Sequence, residues 1–113
     1  MTTFVLIPGA GGVGAFWDPL AAELRGRGHE SVPLDLPADD PTLGFPEYAQ
    51  LTVDAVDGRS DLVLVAQSMG GFVVPGVCAR LPDAVRMIIF LNAMIPAPGE
   101  TAGDWWGNTG SAE

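Results

Sequence analysis

A chain of 113 residues, 48% of them hydrophobic, can bury one core and is too short for two ordinary domains. Five basic residues against fourteen acidic ones give a formal charge of -9, which repels nucleic-acid backbones and anionic membrane surfaces alike. The single cysteine, Cys78, cannot form an internal disulfide, and a lone histidine without ligand-spaced partners argues against a metal centre.

Met1-Thr2-Thr3 carries no basic region, and the apolar run Phe4 to Ile7 is too short for a secretory signal, so the sequence predicts a cytoplasmic protein. That same run, stopped by Pro8-Gly9, has the continuous apolar character of a strand buried on both faces of a parallel sheet. A glycine-rich loop, Gly9 to Gly14, follows. Asp18 then predicts a helix N-cap with Pro19 in the first turn, Leu20 and Leu24 on one face, and Gly26 and Gly28 at the end. Ser31 to Leu36 predicts a second strand, and Asp39-Asp40-Pro41 opens a polar loop. Pro46 starts a second helix that runs through Tyr48, Val53 and Val56 towards Gly58.

Leu62 to Val65 predicts the third strand, Met69 to Leu81 a third helix kinked at Pro75, and Val85 to Leu91 the fourth strand. The apolar stretch Met87 to Ile95 contains Asn92 and falls short of the ~20 residues of a membrane span. Cys78, set among apolar residues, reads as a buried and inert thiol. Strands and helices alternating in this way predict an α/β domain with a parallel sheet flanked by helices. Residues 96–113 are glycine-rich, with Trp105-Trp106 as their only bulk, and no regular element is expected there.

Two motifs compete for the chemistry. Gly9-Ala10-Gly11-Gly12-Val13-Gly14 fits G-x-G-x-x-G after a strand, with Asp35 about twenty residues on, the pattern of a dinucleotide-binding loop. That mechanism needs the last glycine to open directly into a helix whose N–H groups receive the pyrophosphate. Here Phe16, Trp17 and Asp18 intervene before Pro19, so the phosphates would face a loop bearing a large indole. The second motif is Ala66-Gln67-Ser68-Met69-Gly70-Gly71, between a strand and a helix. A nucleophile elbow needs small residues two before and two after the serine, which Ala66 and Gly70 supply, although alanine stands where glycine is usual. Acyl transfer also needs two backbone N–H donors for the oxyanion, one from the residue after the nucleophile and one from a loop after an earlier strand. Met69 and Ala10 occupy those places, with Gly9 and Gly11 freeing the loop backbone. The hydrolase reading therefore uses both segments, whereas the dinucleotide reading leaves Ser68 unexplained.

Phe4-Val5-Leu6-Ile7-Pro8-Gly9-Ala10, Trp17, Gly28-His29-Glu30, Asp35-Leu36-Pro37, Gln67-Ser68-Met69-Gly70-Gly71 and Leu91-Asn92-Ala93-Met94-Ile95-Pro96 together resemble the α/β-hydrolase superfamily in register, from Phe4 to about Trp106. The nearest likeness is to small esterases, including plant methyl-ester hydrolases and hydroxynitrile lyases. This resemblance implies a sheet ordered second-first-third-fourth strand and a serine–acid–histidine triad in that chain order. It also implies a helical cap after the fourth strand. Residues 1–95 would be the N-terminal part of the core and 96–113 the start of the cap. The only histidine, His29, precedes Ser68 and matches a turn residue of the family, and Asp104 falls where the cap begins.

The reading that follows is serine-nucleophile hydrolysis of small apolar carboxylic esters, needing no cofactor. Ser68 is the nucleophile and Ala10 and Met69 form the oxyanion hole, supported by Gly9, Gly11, Ala66 and Gly70. A second chain or further C-terminal segment would supply the acid, the histidine and the strands beyond an otherwise exposed apolar edge. These 113 residues alone are expected to be inactive. An NAD(P)-dependent oxidoreductase using Gly9, Gly11 and Gly14, or a non-catalytic relative that binds a small ligand, remain the alternatives. Asp35 is expected to bond to the loop after it, Trp17 to pack, and Trp105 and Trp106 to line a cavity or anchor the tail.

Overall fold

A computed structural model describes residues 2–9, 13–37 and 39–110. The first strand, β1 (Thr3–Ile7), is followed by a short 3-10 turn, Gly14–Trp17, and helix α1 (Asp18–Gly26). Strand β2 (Glu30–Pro33), helix α2 (Phe45–Val56) and strand β3 (Leu62–Gln67) come next. A second 3-10 turn, Ser68–Phe72, leads to α3 (Val74–Arg80), β4 (Val85–Leu91) and α4 (Ala102–Asn108). The four strands are parallel in the order β2-β1-β3-β4, as the resemblance implied.

Alternation along the two central strands sorts their side chains into two layers. Val5, Ile7, Leu62, Leu64 and Ala66 are fully buried in one cluster with Ala49 and Val56 of α2 and Val74 and Val77 of α3. Leu6, Val63 and Val65 pack on the other face with Trp17 and Ala21, and Leu20 and Leu24 of α1 cover them. Each fully buried aliphatic side chain is worth about 1.5–3 kcal/mol of transfer free energy, so the centre of the sheet is the stable part of the fold. The outer strands are different. Met87, Ile89, Phe90 and Leu91 of β4 are 39–53% exposed; among the described residues β4 pairs with β3 alone, at the edge of the sheet.

Four expectations need correction. The second strand stops at Pro33 and not Leu36: proline offers no N–H to the ladder, and after Leu34 N–H bonds to the Leu6 carbonyl the chain leaves the sheet. Asp18 is the first residue of α1 and not its cap; Trp17 takes the cap position, without a side-chain hydrogen bond. The third helix is not a kinked continuous one. Residues 68–72 form the 3-10 turn, and Pro75 lies in the first turn of α3, where its missing N–H costs nothing. Finally, residues 102–108 are helical, capped by a reciprocal box in which Thr101 Oγ1 accepts from Asp104 N–H and an Asp104 carboxylate oxygen accepts from Thr101 N–H.

The topology also locates a crevice. The chain leaves β1 to build β2 on one side and returns to build β3 on the other, so the connections at the carboxyl ends of β1 and β3 diverge. A gap at such a switch point is where open α/β sheets bind ligands. Gly9 begins the first connection and Ser68 the second.

Candidate active site

Ser68 follows an extended Gln67 (φ -114, ψ 131) and, as the first residue of the 3-10 turn, takes a left-handed backbone conformation with φ 51. A non-glycine residue in that region costs about 1–2 kcal/mol, so surrounding structure must hold it there. The restraint comes from close backbone packing. A Cβ at Gly70 would lie 2.7 Å from the Pro8 carbonyl oxygen and 3.0 Å from that of Ile7, so only glycine lets the turn press against the end of β1. A Cβ at Gly71 would collide with the Met94 carbonyl. Ala66 is fully buried in the α2–α3 cluster, which absorbs its methyl group.

The glycine loop meets this turn. A Cβ at Gly9 would fall 2.6 Å from Gln67 Oε1 and 3.1 Å from Ser68 Cβ, which places the loop's first residue directly against the serine. Ala10 and Gly11 lie outside the described residues; Gly9 packs against Gln67 and Ser68, Gly70 against the end of β1, Ala66 is buried in the core, and Ser68 and Met69 are half-buried.

At its far end the loop is held by Asp35. The Gly14 N–H donates to Asp35 Oδ1 at 2.5 Å, so this carboxylate reaches back to the earlier loop, not forward as the sequence suggested. The bond also bears on the dinucleotide pattern. Gly14 opens a 3-10 turn and the α-helix starts only at Asp18, so the last glycine does not begin a helix aimed at a pyrophosphate. Asp35, which that pattern reserves for a ribose hydroxyl, is engaged by the loop itself.

Other polar candidates stand apart. The His29 ring packs edge-on against Phe4, with centroids 5.3 Å apart. Phe4 pairs with Val63, which strand geometry puts roughly 16 Å from Ser68, so this histidine packs near the opposite end of the strands. Asp104 caps α4. Trp106 is 45% exposed and Trp105 stacks against it edge-on, so the pair does not anchor the tail in the core. Trp17 is buried at 2% exposure, as packing requires, and its Nε1 has no partner among the described residues. Cys78 is half-buried, not fully so, and burial pushes its thiol above the ordinary value. Among the described residues no group of three or more His, Cys, Asp or Glu side chains could hold a metal ion, and no helix is long and apolar enough to cross a membrane.

The sequence motifs include Gly71 and Met94 without pairing them; the close approach of the Met94 backbone is what requires a glycine at 71.

Residues 4–112 match the profile of the alpha/beta hydrolase family. The chain is 34% identical over 110 residues to a probable esterase, PIR7A, of Oryza sativa subsp. indica, an alignment that takes in 88% of this chain and 42% of that protein. It is 29% identical over 110 residues to a carbendazim hydrolyzing esterase of a Nocardioides species, covering 89% and 46%. Among solved structures, an extracellular alpha/beta-hydrolase from a Paenibacillus species superposes with a TM-score of 0.78 at 26% identity, over 95% of this chain and 49% of the other. The chain thus spans less than half the length of each of these relatives.

Proposed function

Because the chain belongs to the alpha/beta hydrolase family, we propose that it carries the nucleophile and the oxyanion hole of a carboxylester hydrolase acting on small apolar esters. The observation that carries this reading is the left-handed Ser68 at the carboxyl end of β3, with Gly9 packed against its Cβ. In the mechanism, Ser68 Oγ attacks the ester carbonyl while a histidine outside this chain accepts its proton. The carbonyl oxygen becomes an oxyanion held by the N–H groups of Ala10 and Met69. Collapse expels the alcohol, which takes the proton back from the imidazolium, and water repeats the sequence to release the acid. No step calls for a cofactor.

The same reading makes this chain one part of a catalytic unit. His29 is remote from Ser68, and the free edge of β4 with its exposed Met87, Ile89 and Leu91 offers a place for further strands. Additional polypeptide, continuous with the chain or separate from it, would pair there and bring the triad acid and histidine. The Asp35–Gly14 bond and the late start of α1 disfavour a dinucleotide oxidoreductase.

The test uses the full-length protein and a fluorophosphonate probe together with p-nitrophenyl acetate. Labelling and turnover are expected, and Ser68→Ala should abolish both. Turnover that survives Ser68→Ala removes the proposal. Absence of labelling in the complete protein leaves a ligand-binding relative in its place.

A further inference from the structure

We infer that Met94 is a positioning residue for the oxyanion donor at Met69, acting through its backbone N–H on the peptide that joins Ser68 to Met69; the inference rests on the Ser68 reading above. The Met94 N–H donates to the Ser68 carbonyl at 2.9 Å. That carbonyl belongs to the same planar unit as the Met69 N–H, and the unit is trans. Its two polar ends point in opposite directions, so holding the carbonyl towards Met94 holds the N–H away from it. One hydrogen bond therefore orients the donor that is to meet the developing charge.

Ser68 is left-handed at φ 51, a conformation that its surroundings must impose. Gly70 presses on the carbonyl oxygens of Ile7 and Pro8, but that contact is steric: it stops the turn from moving and leaves the Ser68–Met69 peptide plane able to rotate. The bond from Met94 is directional and sets the rotation. Its source is itself held. Met94 is 5% exposed, and its carbonyl lies where a Cβ at Gly71 would have to go, so only glycine at 71 lets the two backbones come this close.

The bond also changes the donor. Met69 is the second residue of the turn Ser68–Phe72, and the N–H groups that open a 3-10 turn have no acceptor within it. A hydrogen bond accepted at a peptide's carbonyl polarises its N–H and strengthens the next bond in the chain by about 10–30%. A donor already aimed and polarised costs no reorganisation as charge appears on the substrate oxygen. The role belongs to the backbone. Any residue but proline can supply the N–H, while the methionine side chain packs in the core.

The experiment measures kcat and KM for p-nitrophenyl acetate, and the rate of fluorophosphonate labelling, in the full-length protein, per folded molecule. In one variant an α-hydroxy acid bearing the methionine side chain replaces Met94 by cell-free translation, so that an ester oxygen stands where the N–H was. It should lose roughly 5–30-fold in kcat and in labelling rate, a fraction of the loss of about 10²–10³-fold for deleting a donor outright. KM should stay within about twofold, since binding in the ground state does not use the bond. Met94→Ala keeps the N–H and should lower the urea midpoint while holding kcat within about threefold of the parent. The same ester replacement at Leu81, whose N–H bonds to the Val77 carbonyl at 2.9 Å, should keep the parent kcat. If the Met94 ester does not fold, Gly71→Ala, which drives the Met94 carbonyl off the turn, should show the same loss of kcat at unchanged KM. Parent kcat in the folded Met94 ester (or, in its place, in Gly71→Ala), a comparable loss in the Leu81 ester, a Met94→Ala variant as slow as the Met94 ester, or a loss borne by KM alone overturns the inference. Turnover that survives Ser68→Ala would instead remove the reading beneath it, a separate outcome.

Discussion

The Met94 N–H donates a 2.9 Å hydrogen bond to the carbonyl of Ser68, tying the turn after β3 to the chain that leaves β4. Asn92, two residues before Met94, is left-handed at φ 48 and directly follows β4. Gly71 lies against the carbonyl of the same residue, Met94. The backbone of the candidate nucleophile is therefore held from two strands at once.

Gly71→Ala forces a methyl group into the Met94 carbonyl. The backbone must move apart, at a cost of about 1–3 kcal/mol or more for overpacking. A urea unfolding midpoint lowered accordingly is the expected result, and an unchanged midpoint would show that the two segments do not touch as described.

Ser68→Gly should do the reverse. Glycine occupies positive φ without penalty, so relief of strain at φ 51 is expected to raise stability by up to about 1 kcal/mol, net of the extra freedom glycine gains in the unfolded chain. Denaturant titration of parent and variant measures the difference. A loss of stability would mean the serine side chain contributes more to packing than its backbone costs.

Much of this architecture is legible from residue order. β1 and β3 are uninterrupted apolar runs because both faces are covered, and β4 reads as a strand although most of its side chains are exposed. Helix α4 is harder to see: it has seven residues, two of them glycine, and its marker is the capping pair Thr101 and Asp104, not a hydrophobic stripe. Pro75 is ambiguous for a physical reason, since a proline signals either a kink or a first turn and only the tertiary path of residues 68–72 decides between them. The Gly71–Met94 backbone contact and the bond from the Gly14 N–H to the Asp35 carboxylate join residues distant in sequence, and such pairings leave no periodic trace.

At the opposite end of the sheet, the Thr2 hydroxyl donates to Asp61 Oδ2 at 2.8 Å and Arg86 approaches Asp61 Oδ1 at 3.3 Å. The Thr2 bond foremost, with Arg86 adding its charge, holds the Asp61 carboxyl below its ordinary value. A lowered folded-state value means that this stabilisation is complete above the ordinary carboxylate range and disappears as pH falls through the folded value. The stability gap between the parent and Asp61→Asn should accordingly be wider at pH 7 than at pH 3. Urea midpoints at both pH values measure it, and equal gaps would contradict the linkage.

The Cys78 thiol, raised by burial, is expected to stay protonated at neutral pH. Alkylation by iodoacetamide at pH 7 should be slower in the folded chain than in the same chain unfolded in urea. Equal rates would place the sulfur in open solvent.

Phe4 pairs with both Ser31 and Val63, so β1, synthesised before either neighbour, must finally be enclosed on both sides. At about 5–20 residues per second, its second neighbour is synthesised seconds after it emerges. With no local hairpin to shelter it, Phe4 to Ile7 is the segment a nascent-chain chaperone would need to hold until β3 arrives.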